Sequence, residues 1–170
     1  YLEGAVTLTM SSPHTTNALV VGDGNGSSAL VTLTTGQLTA QAAAVVGSQA
    51  GSVGTLTIND DDATLTALNQ LVIGSSGSGT LNIANQGTVS TLFFTVGHAA
   101  TSTATVNVSG AGSTLDISQT AAIGNSGDAT LTIGALGHVN VAQDLFIGAQ
   151  PGSVSQAFLN GGAAVLDVDD

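Results

Sequence analysis

Residues 72–90 read VIGSSGSGTLNIANQGTVS and contain three short motifs that recur along the whole chain. The central motif, Leu81-Asn82-Ile83, alternates apolar and polar residues, a pattern typical of a strand with one buried face. Both of its apolar positions return along the chain at one constant interval. The first series is Val6, Val31, Leu56, Leu81, Val106 and Leu131, and the second is Leu8, Leu33, Ile58, Ile83, Val108 and Ile133.

A second motif is an apolar residue followed by glycine, which takes a positive φ without a Cβ clash and so suits a corner. The intervals between these glycines vary, unlike those of the first motif; the glycines are Gly22, Gly47, Gly74, Gly97, Gly124 and Gly148. The early changes are shifts of two positions, which keep every side chain on its own side of a strand, whereas odd shifts are costly. We therefore expect a bulge or loop near Pro151, where the final spacing changes.

A third strand is indicated in each repeat, and from residue 56 onward a longer unit of two repeats is visible, with Gly77 matching Gly127. One coil is therefore predicted to hold three short strands and three corners. The third strands are expected at residues 64–66, 88–90, 114–117, 138–141 and 164–168.

These patterns predict an all-β fold, a right-handed parallel β-helix (β-solenoid) with about 25 residues per coil. Segments that return at a constant interval stack as parallel strands, and parallel crossovers are right-handed in nearly all cases. Roughly seven coils at about 4.8 Å each give a rod about 30 Å long. Residues 1–170 are expected to form one solenoid segment, and its uncapped ends suggest a piece of a longer repeat protein.

Composition narrows the possible partners. The chain has 11 acidic residues and neither lysine nor arginine, which argues against nucleic-acid binding because phosphate contacts depend on those cations. We expect the partner to be a neutral glycan, a cation, water itself, or another protein such as one on a host or neighbouring cell, rather than a polyanion. The lack of cysteine rules out disulfides and zinc–thiolate sites, and no apolar run is long enough for a membrane-spanning helix.

Three strings resemble the T-SWIFT repeats of bacterial autotransporter passenger domains: residues 72–90, VNVSGAGSTLDIS at 106–118, and IGNSGDATLTI at 123–133. The resemblance covers about residues 18–168. It implies a right-handed parallel β-helix that is exported and displayed on the cell surface as a stalk or adhesin, with no catalytic residues. Leu65 and Leu115 stand where the family often has tryptophan, which weakens any aromatic surface role.

Several polar clusters are candidate sites. Asp60, Asp61 and Asp62 are weak calcium candidates, because calcium takes six to eight oxygen ligands and one short acidic corner rarely supplies them. Residues 22–26, GDGNG, predict a turn, since neither a helix nor a nonapeptide repeat follows. The three histidines share no column of the repeat, so we expect no metal site from them. Asp116 and Asp144 remain open as a carboxylate pair across coils.

The polar residues between the apolar positions form a candidate surface ladder. Together with the outward residue two positions earlier, they place hydroxyl and amide groups about 7 Å apart along a strand and about 4.8 Å apart between coils. These pairs are Thr55 with Thr57, Thr80 with Asn82, Thr105 with Asn107 and Thr130 with Thr132. Such a lattice is similar to the Thr-x-Thr face of ice-binding solenoids, although threonine is also a common outward residue in strands. The ladder is Thr7, Thr32, Thr57, Asn82, Asn107 and Thr132.

We therefore expect a protein that is not an enzyme and needs no cofactor. The first hypothesis is a structural and adhesive segment of an exported β-helical passenger at the cell surface. The second is an extracellular fibre subunit that associates with itself through its coil ends. The third is an ice-binding face on the threonine ladder.

Overall fold

A computed structural model describes residues 4–169, which form fifteen strands joined by turns. This part of the chain contains no helix, and therefore none that could cross a membrane. The strands are β1 (Gly4–Thr9), β2 (His14–Val21), β3 (Ser28–Val46), β4 (Val53–Asn59), β5 (Ala63–Ile73), β6 (Ser78–Ala84), β7 (Thr88–Val96), β8 (Thr103–Val108), β9 (Thr114–Ile117), β10 (Ala121–Ile123), β11 (Asp128–Ile133), β12 (His138–Val141), β13 (Leu145–Ile147), β14 (Ser155–Leu159) and β15 (Val165–Val168).

The strands stack as three parallel ladders, one for each side of a β-solenoid of about seven coils. The first ladder contains β1, the start of β3, then β4, β6, β8, β11 and β14. The second contains the early parts of β2, β5 and β7 and the middle of β3, then β9, β12 and β15. The third contains the later parts of β2, β3, β5 and β7, then β10 and β13. The predicted parallel solenoid is confirmed.

The first ladder keeps one register from β3 to β11. Val31 pairs with Leu56, which pairs with Leu81, and the series continues to Leu131 without a shift. The next step is one residue longer, because Leu131 pairs with Ala157. The loop 148–154 is two residues longer than its equivalent 124–128, because the step from Ile123 to Ile147 is one residue short, and this confirms the irregularity expected near Pro151.

The third ladder keeps the predicted shifts of two residues from Leu19 to Ala121. The second ladder contains odd shifts, so the prediction that the parity of the pleat penalises them is wrong at the corner between these two ladders. Leu65 pairs with Val89 in the second ladder, and Leu71 pairs with Phe94 in the third, so the third-ladder step is one residue shorter. The difference arises between Ala67 and Gln70, at the corner between the two ladders. Corner residues belong to neither ladder, so an added residue there leaves the inward and outward alternation on both sides unchanged.

The inward side chains form one continuous core along the axis. Leu33, Ile58, Ile83, Val108 and Ile133 are fully buried in the first ladder, and the second and third ladders supply equivalent columns. Each large apolar side chain contributes about 1.5–3 kcal/mol when it is removed from water. A coil gains this burial only when a neighbour covers it, so the stability of each coil depends on the next.

The longer unit of two repeats follows from one corner column in which serine and glycine alternate: Ser52, Gly77, Ser102 and Gly127. Ser52 Oγ donates a hydrogen bond to Gln49 O at 2.7 Å, and Ser102 Oγ makes the same bond to Ala99 O. A Cβ on Gly77 would lie 2.5 Å from Ser52 Oγ, and one on Gly127 would collide with Ser102 Oγ. Each serine therefore occupies the space that the glycine of the next coil leaves free.

The corner glycines provide a test of this packing. Gly47 has φ of 70°, and an added Cβ there would collide with the backbone of Ser78. Gly26 has φ of 76°, with no atom within 4 Å of an added Cβ. We expect Gly26→Ala to destabilise the protein only by the cost of a left-handed alanine, about 1–2 kcal/mol. Gly47→Ala should cost clearly more in urea unfolding, and equal losses would contradict this packing.

Candidate functional site

The most regular surface is the outer side of β4, β6, β8 and β11 in the first ladder. Two outward residues per strand, spaced by one inward residue, form two adjacent rows that run along the axis. All eight side chains are half-buried and stand in unshifted register. We call this surface the hydroxyl face; it consists of Thr55, Thr57, Thr80, Asn82, Thr105, Asn107, Thr130 and Thr132.

The predicted surface ladder coincides with one of these two rows and extends it. Thr32 lies beneath Thr57 and is half-buried, and Thr7 lies at the exposed N-terminal edge. After Thr132 the row ends at Phe158, which pairs with Thr132 and is 41% exposed. The structure therefore brings the six predicted residues into one column.

Hydrogen bonds differ between the two rows. Asn107 Nδ2 donates to Asn82 Oδ1 at 2.9 Å, and Asn82 Nδ2 donates to Thr57 Oγ1 at 3.5 Å. The hydroxyls of the other row make no hydrogen bond to another group within residues 4–169; they belong to Thr55, Thr80, Thr105 and Thr130. One row is thus partly bonded to itself, while the other keeps its donors and acceptors free for an external partner.

The hydroxyl face carries almost no charge, although the chain has a net charge of −11. Asp128 is the one acidic residue in the described strands of the first ladder, and its Oδ1 accepts a hydrogen bond from Val154 N at 2.9 Å. The other described carboxylates lie at corners, on the second ladder or near the C-terminus. The face offers neutral hydroxyl and amide groups in a regular array.

The acidic corner, Asp60 to Asp62, connects β4 to β5 and is exposed. The backbone N–H of Asp61 donates to Asp60 Oδ1 at 2.8 Å. A side-chain hydrogen bond with Asp60, followed by the negative charges of Asp62 and Asp60, raises the pKa of the Asp61 carboxyl above its ordinary value. Within residues 4–169 no group of three or more acidic or histidine side chains is arranged to hold a metal ion. Calcium binding at this corner stays a prediction.

The raised pKa of Asp61 predicts a pH effect. The folded state binds this proton more tightly than the unfolded chain, so the contribution to stability is present in acid and is lost as pH rises through the raised pKa. Asp61→Asn removes the repulsion and should raise the melting temperature at pH 7, with a difference that shrinks on acidification.

Asp60→Asn is the matched control, because it removes a neighbouring negative charge and leaves an amide Oδ1 as a weaker, uncharged acceptor for the Asp61 N–H. We expect a smaller gain or a loss from this variant. A lower melting temperature for Asp61→Asn than for the unchanged protein at pH 7 would contradict the repulsion.

The remaining sequence candidates lie apart from the hydroxyl face. Residues 22–26 form the predicted turn between β2 and β3, which Ser27 N closes by donating to Gly24 O at 2.9 Å. Asp116 points outward from β9, whereas Asp144 lies in the corner before β13. The three histidines occupy β2, a corner and β12, namely His14, His98 and His138.

Sequence reasoning missed an apolar corner between the second and third ladders. Leu68 is 51% exposed, Leu92 is 39% exposed and Phe93 is 43% exposed. Leu68 and Leu92 border a shallow groove that also includes Thr66, Ser90 and Ser118. The adjacent Phe93 and Phe94 could have indicated this exposed apolar surface from the sequence. Consecutive residues of a strand point to opposite sides, so only one of the two phenylalanines can enter the core.

Comparisons with protein-family models, with curated proteins and with solved structures give no match to this chain.

Proposed function

We propose that the protein is a structural and adhesive segment of an exported cell-surface β-helical passenger and carries out no chemistry of its own. The observation that supports this role is the uninterrupted column of inward side chains between Val21 and Val141. Parallel backbone hydrogen bonds run beside this column on all three sides. Such an arrangement holds a rod straight and presents its outer faces at fixed spacings, as a stalk or adhesin requires.

The outer chemistry supports adhesion to an uncharged partner. The hydroxyl face offers hydroxyl and amide groups, which pair with neutral glycans or with backbone groups of a protein on a host or neighbouring cell. Polyanions are repelled, because the chain has a net charge of −11 and no lysine or arginine. The resemblance of residues 72–90, 106–118 and 123–133 to passenger repeats agrees with display outside the cell.

Protease treatment of intact source cells tests the localisation. Trypsin cleaves after lysine and arginine, so these 170 residues should survive it wherever they are. Proteinase K added outside should remove the protein from immunoblots, while a cytoplasmic marker remains. Antibodies raised against the folded segment should label cells without permeabilisation. Protection from proteinase K until the cells are lysed would contradict surface display.

Self-association through the coil ends is the second candidate, because parallel ladders can continue from one copy of a solenoid onto another. Ile147, Leu159 and Val168 occupy inward positions yet are 47%, 53% and 43% exposed. In the coil beneath, their partners Ile123, Ile133 and Val141 are buried. A coil of a second copy stacked on this end would bury these side chains and continue the ladders.

Analytical ultracentrifugation over a range of concentrations, with and without calcium, tests this stacking. We expect larger species as concentration rises, and loss of these species in Leu159→Asp, which places a charge in the stacked surface. Leu68→Asp is the matched control, because Leu68 is equally exposed but lies on a side of the rod. A strict monomer at all concentrations would exclude the fibre hypothesis, and equal loss in both variants would exclude contact through the end.

A further inference from the structure

The hydroxyl face is more regular than the fold requires. From β3 to β11 the first ladder keeps one constant step, whereas the second and third ladders shift by one or more residues at their corners. The core tolerates those shifts, since the inward residues of all three ladders are buried. Core packing alone therefore does not explain why one face is kept in unbroken register.

The spacing of this face is close to that of hydrogen-bonded water. Equivalent outward residues on adjacent parallel strands lie about 4.8 Å apart. Water molecules joined by O–H···O bonds of about 2.75 Å at the tetrahedral angle have second neighbours about 4.5 Å apart. The row Thr55, Thr80, Thr105, Thr130 therefore places four hydroxyls in one line at nearly the repeat of an ordered water lattice.

The chemistry of this row suits water better than an ionic partner. Its four hydroxyls make no hydrogen bond to another group in the described part of the chain, so each can donate to and accept from water. Each threonine also carries a methyl group on the same Cβ, which neither donates nor accepts a hydrogen bond. Strong charges, which would impose their own hydration shells, are missing from the face as described, except for Asp128 at its rim.

We propose that the hydroxyl face binds ice, with the row of Thr55, Thr80, Thr105 and Thr130 as its main contact. This activity goes beyond the proposed structural role and does not depend on it. The second row contributes less, because Asn82 and Asn107 use their amides on each other and on Thr57. The two rows therefore have unequal roles, because one consists of threonines alone and the other has two asparagines at its centre.

Thermal hysteresis of the purified protein, measured by nanolitre osmometry against a buffer of equal osmolality, tests this proposal. The unchanged protein should depress the growth temperature of a seeded ice crystal and shape its facets. Thr80→Tyr and Thr105→Tyr should abolish the effect, because a bulky ring on a flat face prevents contact by the whole row. Thr64→Tyr and Thr88→Tyr are matched controls, since both threonines are half-buried outward residues of the second ladder.

Two further variants test the difference between the rows. Asn82→Thr and Asn107→Thr together replace the bonded amides with free hydroxyls and should increase hysteresis. Circular dichroism and urea unfolding must show that every variant keeps its fold. Lack of hysteresis and of ice shaping in the unchanged protein would overturn the proposal, and so would equal loss in the first-ladder and second-ladder tyrosine variants. Neither result would affect the protease test of surface display.

Discussion

Parallel backbone hydrogen bonding in the first ladder sets the height of every coil. Each strand from β3 to β11 lies one strand spacing from the next, and its inward residue lies on the equivalent residue beneath, as Leu56 lies on Val31 and Leu81 on Leu56. The other two sides must return to this height after every circuit. They do so with different chain lengths, because corners absorb added residues without turning a strand over.

The corners consequently differ in what they accommodate: some accept an added residue, and others have no room even for a Cβ atom. Leu68 and Asn69 form a corner one residue longer than its equivalent in the next coil. Where each circuit closes, by contrast, backbone approaches backbone so closely that Gly47 in its corner and Gly79 near the start of β6 have no room for a Cβ. Insertions are therefore accommodated where two ladders meet loosely, while close coil contacts require glycine. The alternation of Ser52 and Gly77 extends this rule to a pair of coils.

Most of the architecture could be predicted from the sequence because the repeat is numerical. The constant interval between Val31, Leu56 and Leu81 indicates a stacked coil before any strand is placed, and the six-residue surface ladder follows from the same arithmetic. Local periodicity does not show how corners are built, so the odd shift at Leu68 and Asn69 was unexpected. It also does not show whether neighbouring amides bond each other, as Asn82 and Asn107 do.

Each coil packs only on the coil before it and the coil after it, so the rod can fold one coil at a time from one end to the other. A chain emerging from a narrow exit can complete one coil as soon as about 25 further residues are available, with the finished coils as a template. Pulling the rod apart from one end would likewise proceed in steps, since removing β15 uncovers β12 and leaves β9 still paired with β7. Folding from one end and unfolding in steps under force thus have the same cause, which is that each coil contacts only its two neighbours.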